Sequence, residues 1–146
     1  MLMQSMSETL RVADTARLAM HRHGAETYPD ECCGALIAVA GIVVEALALP
    51  NTTDAGAARR FTIGPEGYRL AEERARARHG TLAGFYHSHP DEAAQPSQYD
   101  LDHAWPNLAY AIISIRGGVP ADSRVWRLRD DRTGFDEGEL IWVTGS

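Results

Sequence analysis

Lysine is missing from this sequence, and all 14 of its basic residues are arginines. The absence excludes three kinds of site that depend on a lysine amine: a Schiff-base centre, a pyridoxal phosphate site and a phosphate-binding P-loop. Positive charge is also in the minority, since 20 acidic residues leave a net charge of −6. Nucleic-acid binding needs clustered positive charge. The cluster formed by Arg74, Arg76 and Arg78 is more typical of the solvated face of a helix. We therefore expect no nucleic-acid partner.

Cysteines and long apolar segments are scarce as well. The two cysteines, Cys32 and Cys33, are adjacent, and a disulfide between neighbouring residues is strained. The C-x-x-C spacing of redox and structural zinc sites is absent, so we expect two reduced thiols in a reducing compartment. No apolar run reaches the ~18 residues of a membrane span, and no secretory signal is visible. The sequence predicts a cytoplasmic protein without a membrane partner.

The composition is that of one ordinary globular domain over residues 1–146, with 45% hydrophobic and 23% charged residues. Hydrophobic periodicity and turn residues predict a mixed α/β fold. Helices are expected at Ala13–His23, ended by Gly24, at 65–79 and at 97–104. Strands are expected at 8–12, 32–39, 42–49, 61–63, 82–87, 110–115, 123–128 and 138–143.

Two histidines and one aspartate carry the chemistry. His87 and His89 are two residues apart at the end of a predicted strand, so both imidazoles project from the same face. Asp100 follows at the start of a predicted short helix. Two imidazoles and one carboxylate suit a borderline divalent metal, and three protein ligands leave a position for water. The pattern therefore predicts a catalytic metal site.

Each part of this pattern also has a purely structural interpretation. A lone H-x-H pair is commonly explained by surface or core histidines. Ser97-x-x-Asp100 is a helix-capping pattern, although a cap would also hold Asp100 in place for coordination. A general base is needed besides the ligands. Glu31 is one of ten glutamates, and the pattern alone does not bring it next to His87.

The spacing of the two histidines, the serine and the aspartate resembles the signature of the JAMM (MPN+) zinc metalloprotease family. Residues 29–36 (Pro-Asp-Glu-Cys-Cys-Gly-Ala-Leu) resemble the block around that family's catalytic glutamate, with Glu31 at its position. The likeness extends over residues 13–143 and includes Phe61 and Trp105. It implies a cytidine-deaminase-like α/β sandwich, with a curved mixed β-sheet flanked by helices.

The resemblance also implies a role for each matched residue. His87, His89 and Asp100 would ligate one zinc ion per chain, with water as the fourth ligand. Glu31 would take a proton from that water and later give it to the leaving amine. Ser97 would donate a hydrogen bond to the tetrahedral oxyanion, so that it serves as both cap and catalyst.

Members of this family hydrolyse amide or isopeptide bonds at the C-terminus of ubiquitin or ubiquitin-like proteins. The chain has no room for the inserted segments of the deubiquitinating members, so it resembles the compact prokaryotic branch. That branch acts after the terminal Gly-Gly of small ubiquitin-like sulfur-carrier proteins, which implies such a carrier as partner. The loop of residues 50–64 is expected to cover its extended tail, which can add to an exposed sheet edge. Whether the leaving group is a cysteine, a peptide or a lysine side chain stays open.

Two other functions use the same residues. Two histidines and a carboxylate also form the facial triad of mononuclear non-haem iron enzymes, but that triad gives Glu31 and Ser97 nothing to do. Some relatives of the fold are non-catalytic binding scaffolds that have lost the ligands, whereas all five matched positions are present here.

His103, three residues after Asp100, is expected to be solvated or to support a metal ligand rather than to be a ligand itself.

Overall fold

A computed structural model describes residues 9–51 and 63–144 of the chain. The described residues form three helices and eight strands. The helices are α1 (Asp14–Thr27), α2 (Pro65–Ala77) and α3 (Gln98–Asp102). The strands are β1 (Thr9–Ala13), β2 (Cys33–Val39), β3 (Ile42–Leu49), β4 (Thr81–Pro90), β5 (Ala109–Arg116), β6 (Val119–Leu128), β7 (Phe135–Glu137) and β8 (Glu139–Val143).

All eight strands join one mixed sheet in the order β7-β6-β5-β4-β2-β3-β1-β8. Strand β4 lies inside it, antiparallel to β2 and parallel to β5. Strand β1 is parallel to both β3 and β8. Register shifts interrupt the pairing of β2 with both of its neighbours, and such bulges increase strand twist. The expected α/β class and curved mixed sheet are confirmed.

Strand β2 divides the core into two layers because its side chains alternate between the faces of the sheet. Leu36 and Ala38 belong to the apolar cluster that buries Met20 of α1. Ala35 and Ile37 belong to the opposite cluster, which contains the buried face of α2 (Ala71 and Ala75). This burial on both sides explains why β2 is a continuous run of apolar residues.

Some predicted boundaries differ from the structure. Helix α1 continues through Gly24 to Thr27, because this glycine serves close packing: a Cβ there would lie 2.8 Å from Ile115 Cδ1. Strand β7 was not expected, since a three-residue strand carries almost no periodic signal. Of the strand expected at 61–63, only Ile63 is described, outside any strand, and Phe61 lies outside the described residues.

The fold also shows the surroundings of the clustered arginines and of the two cysteines. Arg74 Nε and Arg78 NH1 lie 2.9 and 3.0 Å from Glu45 Oε1 at the surface, so two of the three clustered arginines pair with β3. Both cysteines are buried and free, which confirms that they form no disulfide with each other. Within the described ranges, no helix combines the length and the apolar character required to cross a bilayer.

Candidate metal centre

Strand β4 places two imidazoles at the centre of the candidate site. His87 and His89 lie on the same face of β4, and both side chains are buried. Their Nε2 atoms are 3.2 Å apart. The His89 Nδ1 atom lies 2.9 Å from the carbonyl oxygen of Ala93. A carbonyl can only accept, so the neutral His89 ring carries its proton on Nδ1 and presents the Nε2 lone pair to the centre.

Helix α3 supplies the carboxylate through a capping box. The Ser97 Oγ atom accepts a hydrogen bond from the Asp100 backbone N–H at 3.0 Å, and the Ser97 backbone N–H donates to Asp100 Oδ2 at 2.9 Å. The same Oδ2 atom lies 3.2 Å from the Nε2 atom of each histidine. The cap expected at Ser97 is therefore present, and it fixes the carboxylate that faces the imidazoles.

The three donor atoms form a triangle with sides of 3.2 Å. A tetrahedral zinc ion with ligand distances of about 2.0–2.1 Å holds its donors about 3.3–3.4 Å apart. Direct hydrogen bonds satisfy such a triangle poorly, because each neutral imidazole has a single N–H and a carboxylate has none. Two imidazole nitrogens and one carboxylate oxygen at these separations fit a zinc-sized cation.

Burial and charge set the protonation of this cluster. Burial lowers the pKa of His87 and outweighs the opposing effect of Asp100. Burial also lowers the pKa of His89, but the hydrogen bond and the charge of Asp100 outweigh it and raise this pKa. Burial raises the pKa of Asp100, yet its electrostatic interaction with His87 and the hydrogen bonds that it accepts, including the one from the Ser97 N–H, hold this pKa well below its usual range. Asp100 is therefore ionised at neutral pH, as a metal ligand must be.

Glu31 lies just before Cys32 and strand β2, and its side chain reaches the same centre. It is buried, and one of its carboxylate oxygens lies within 4.8 Å of a ring nitrogen of each histidine. Hydrogen bonds tie this segment to β4 between the two histidines: the Cys32 N–H donates to Ser88 Oγ at 2.9 Å, and the Ser88 N–H donates to the Cys32 carbonyl at 3.1 Å. Pairing of β2 with β4 thus brings together residues that lie far apart in the sequence.

The structure places the predicted residues in two groups. Both carboxylates face the two histidines: a Glu31 oxygen lies within 4.8 Å of a ring nitrogen of each, and Asp100 Oδ2 lies 3.2 Å from each Nε2 atom. Ser97 is the exposed N-cap of α3. His103 lies outside this cluster: it is exposed, its Nδ1 atom is 2.9 Å from the Tyr99 carbonyl oxygen, and its ring stacks on Tyr99.

Hydrogen bonds from β5 and β6 hold the loop between β4 and α3, and sequence reasoning missed them. The Trp126 indole N–H donates to the Ala94 carbonyl at 3.0 Å, and the Ser114 hydroxyl donates to the Glu92 carbonyl at 2.5 Å. A tryptophan and a serine on separate strands carry no local signal of this role. The contacts restrict the loop that separates His89 from Asp100.

The buried cysteines beside Glu31 are not activated. Burial raises the pKa of the Cys32 thiol to about 11 and that of the Cys33 thiol to about 12. Nucleophilic cysteines have a lowered pKa instead. The candidate site therefore has no thiol nucleophile among the residues that the structure describes close to Glu31.

An apolar cavity of about 130 Å³ opens beside the candidate ligands. His87 and Asp100 form part of its lining, and aromatic and aliphatic side chains form most of the rest. These are Ile63, Phe85, Trp105, Tyr110, Ile112 and Phe135. Sequence reasoning did not predict the cavity, because its lining is distributed over several strands and loops.

The sequence matches the family of prokaryotic homologs of the JAB domain (Prok-JAB) over residues 14–129. The chain belongs to this family. A curated relative, the tail tip assembly protein K of Escherichia phage N15, is 32% identical over 113 residues, which are 70% of this chain and 44% of that protein. The Prok-JAB chain thus spans less than half the length of that relative.

Solved structures agree with this assignment. A protein from Desulfitobacterium hafniense, 26% identical, superposes with a TM-score of 0.79 and coverage of 93% of this chain and 94% of its own. A structure described as a JAMM metalloprotease-like zinc site in the proteasome and signalosome has a TM-score of 0.60 at 17% identity, with coverage of 92% and 98%. The second likeness shows that the fold is shared. The expected family and fold are confirmed.

Proposed function

We propose that this Prok-JAB protein is a cytoplasmic zinc-dependent hydrolase that cleaves amide or isopeptide bonds after the C-terminal Gly-Gly of a small ubiquitin-like sulfur-carrier protein. The observation that carries the proposal is the 3.2 Å triangle of His87 Nε2, His89 Nε2 and Asp100 Oδ2 with the Glu31 carboxylate beside it. Family membership and the shared JAB fold support the same chemistry.

The three triangle residues would hold one zinc ion per chain. When bound, zinc acts as a Lewis acid and lowers the pKa of a coordinated water to about 7. The hydrogen bond from the Ser97 N–H to Asp100 and the Nδ1 contact of His89 orient these side chains within the protein itself. Such outer contacts fix the tautomer and direction of metal ligands.

Glu31 and Ser97 would supply the proton transfer and the charge stabilisation. Glu31 lies within reach of the centre without belonging to the 3.2 Å triangle, and its carboxylate would take a proton from the attacking water and give it to the leaving amine. The Ser97 oxygen accepts from the Asp100 N–H, which leaves its own hydrogen to donate to the developing oxyanion. Capping and catalysis are therefore compatible in one residue.

A Gly-Gly tail suits the location of the centre. Strands β2, β4 and β5 around it are each paired on both sides, so the described sheet offers no free edge beside the ligands. The expected addition of the tail to an exposed sheet edge therefore does not apply to these three strands and stays a prediction elsewhere. The expected cover by residues 50–64 falls mostly outside the described ranges. A tail without side chains can instead approach the buried ligands past the strand ends.

A second candidate substrate follows from the phage relative. Because this chain is 32% identical to a protein named for tail tip assembly, a protein of a phage tail tip is a second candidate substrate for the proposed hydrolysis. The iron-enzyme alternative needs only one carboxylate beside the two histidines, so it would use either Asp100 or Glu31 and give the other no role. The scaffold alternative is disfavoured because its loss of ligands is not seen here.

Mass spectrometry of carrier fusions tests the proposal. A ubiquitin-like carrier that ends in Gly-Gly is extended by a cysteine or a short peptide and incubated with the zinc-loaded protein. We expect a single cut directly after Gly-Gly, slowed sharply when the last glycine is replaced by valine. Glu31→Gln is the matched control: it should keep its zinc and lose cleavage by about 10²–10⁴-fold.

Three results would count against the proposal. Intact carriers together with digestion of an unrelated unfolded protein would indicate a general peptidase. Selective cleavage of a phage tail tip protein would favour the second substrate. Recovery of iron instead of zinc, with oxygen-dependent activity, would support the iron enzyme.

A further inference from the structure

The apolar cavity beside the candidate metal centre is built mainly from aromatic and aliphatic side chains. Its volume is about 130 Å³, close to the ~150 Å³ of apolar cavities that bind benzene. Among the described residues its polar lining is limited to His87, Asp100 and His103, and the other lining side chains are apolar or aromatic. A cavity of this size and composition suits one phenylalanine or leucine side chain and disfavours a charged one.

Packing holds the aromatic wall in place before any ligand binds. The Tyr110 ring lies 6.2 Å from Phe85 and 6.0 Å from Phe135, measured between ring centroids. The Tyr110 hydroxyl accepts a hydrogen bond from the Trp105 backbone N–H. The Trp105 ring lies 4.9 Å from the Tyr68 ring of α2 and remains 42% exposed. A preformed pocket binds without the cost of ordering its own side chains.

The position of the cavity relates it to the scissile bond. His87 and Asp100 belong both to the 3.2 Å triangle and to the cavity lining. A side chain in the cavity is therefore attached to a residue close to the bond that is cleaved. On the acyl side of that bond the proposed substrate has two glycines, which have no side chain to fill a pocket. Of the residues directly next to the scissile bond, only the one on the leaving side can therefore carry a side chain that fills the cavity.

We propose that this aromatic pocket binds the side chain of the residue that follows the scissile bond, and that it selects leaving groups beginning with an apolar residue. This inference rests on the proposed function and narrows its substrate class. It favours a peptide or protein that begins with phenylalanine or leucine over one that begins with aspartate.

Peptide binding tests the pocket without any turnover. Tripeptides that represent the leaving product, Phe-Ala-Ala and Asp-Ala-Ala, are titrated into the zinc-loaded protein and followed by isothermal calorimetry. We expect at least tenfold tighter binding of the phenylalanine peptide, the order of magnitude that an apolar pocket supplies. Trp105→Ala and Phe135→Ala should each reduce this preference to less than about threefold. Val119→Ala is the control, because Val119 is 63% exposed and does not line the pocket.

The matching cleavage experiment separates this inference from the proposed function. Carrier fusions with phenylalanine, leucine, serine or aspartate after Gly-Gly are compared by kcat/KM. Faster cleavage of the apolar pair, lost in Trp105→Ala, supports the pocket. Equal rates for all four fusions overturn the pocket while the proposed function stands. If no fusion is cleaved, the proposed function fails, and equal affinity of the two tripeptides would then overturn the pocket as well.

Discussion

Replacing Ser97 tests whether one hydroxyl has both a structural and a chemical role. Ser97→Ala removes the oxygen that accepts from the Asp100 N–H at 3.0 Å. Loss of a serine N-cap costs about 1 kcal/mol of the free energy of unfolding. In a protein of this size that corresponds to a decrease in Tm of about 2–4 °C. The same change removes the proposed oxyanion donor, and one such donor is worth about 10²–10³ in kcat.

Two further variants separate the roles. Ser97→Gly costs the cap only a few tenths of a kcal/mol but lacks the hydroxyl, so its Tm should stay close to the wild-type value while kcat falls as in Ser97→Ala. Ser97→Thr keeps a hydroxyl and a good cap, and we expect it to preserve most of both properties. The measurements are calorimetric Tm, zinc content and kcat on a carrier fusion.

Each role of Ser97 has its own refuting result. A Ser97→Gly protein that cleaves at the wild-type rate would refute the oxyanion role. A Ser97→Ala protein with unchanged Tm would refute the energetic contribution of the cap. Loss of zinc from both variants would show instead that the cap acts mainly by holding Asp100.

Three further predictions concern the metal, the sheet and the thiols. His89→Ala removes one corner of the 3.2 Å triangle, so elemental analysis should show most of the zinc gone, and full stoichiometry would reject this ligand set. Gly84→Ala would place a Cβ 1.9 Å from the Ala109 carbonyl oxygen. We expect urea denaturation to show that the free energy of unfolding falls by at least about 3 kcal/mol. A decrease below about 1 kcal/mol would contradict this close packing. With pKa values of about 11 and 12 for Cys32 and Cys33, the reactive thiolate fraction at pH 7 is about 10⁻⁴ or less. Iodoacetamide should therefore spare both thiols of the native protein at pH 7, react faster as the pH rises towards 11, and label both thiols after unfolding. Rapid labelling of the native protein at pH 7 would show instead that the thiols are accessible and ionised.

The sequence predicted local features of the fold and the site because their signals are local. The two histidines in β4 and the Ser97 cap of α3 depend on spacings of two and three residues, and both are present as expected. Glu31 could not be placed by pattern, because its position depends on the pairing of β2 with β4. Only the family resemblance indicated its role. The predicted end of α1 at Gly24 was wrong, because this glycine packs against the distant Ile115 of β5 instead of ending the helix.

The aromatic pocket was missed for the same physical reason. Phe85, Tyr110 and Phe135 come from β4, β5 and β7, and each is an ordinary core residue in its own strand. Their shared function becomes visible only when strand order and face are known. Non-local chemistry of this kind leaves no periodic or spacing signal in one sequence.

The parallel pairing of β1 with β8 has a consequence for biosynthesis. All five residues of β1 pair with β8, from Thr9 opposite Glu139 to Ala13 opposite Val143. During translation β1 leaves the ribosome early, whereas its partner is made more than 120 residues later. Until then one side of β1 presents unpaired backbone groups, the kind of surface on which chains aggregate. Premature termination before Glu139 would make that exposure permanent, so nascent or shortened chains should depend on chaperones more than the finished protein does.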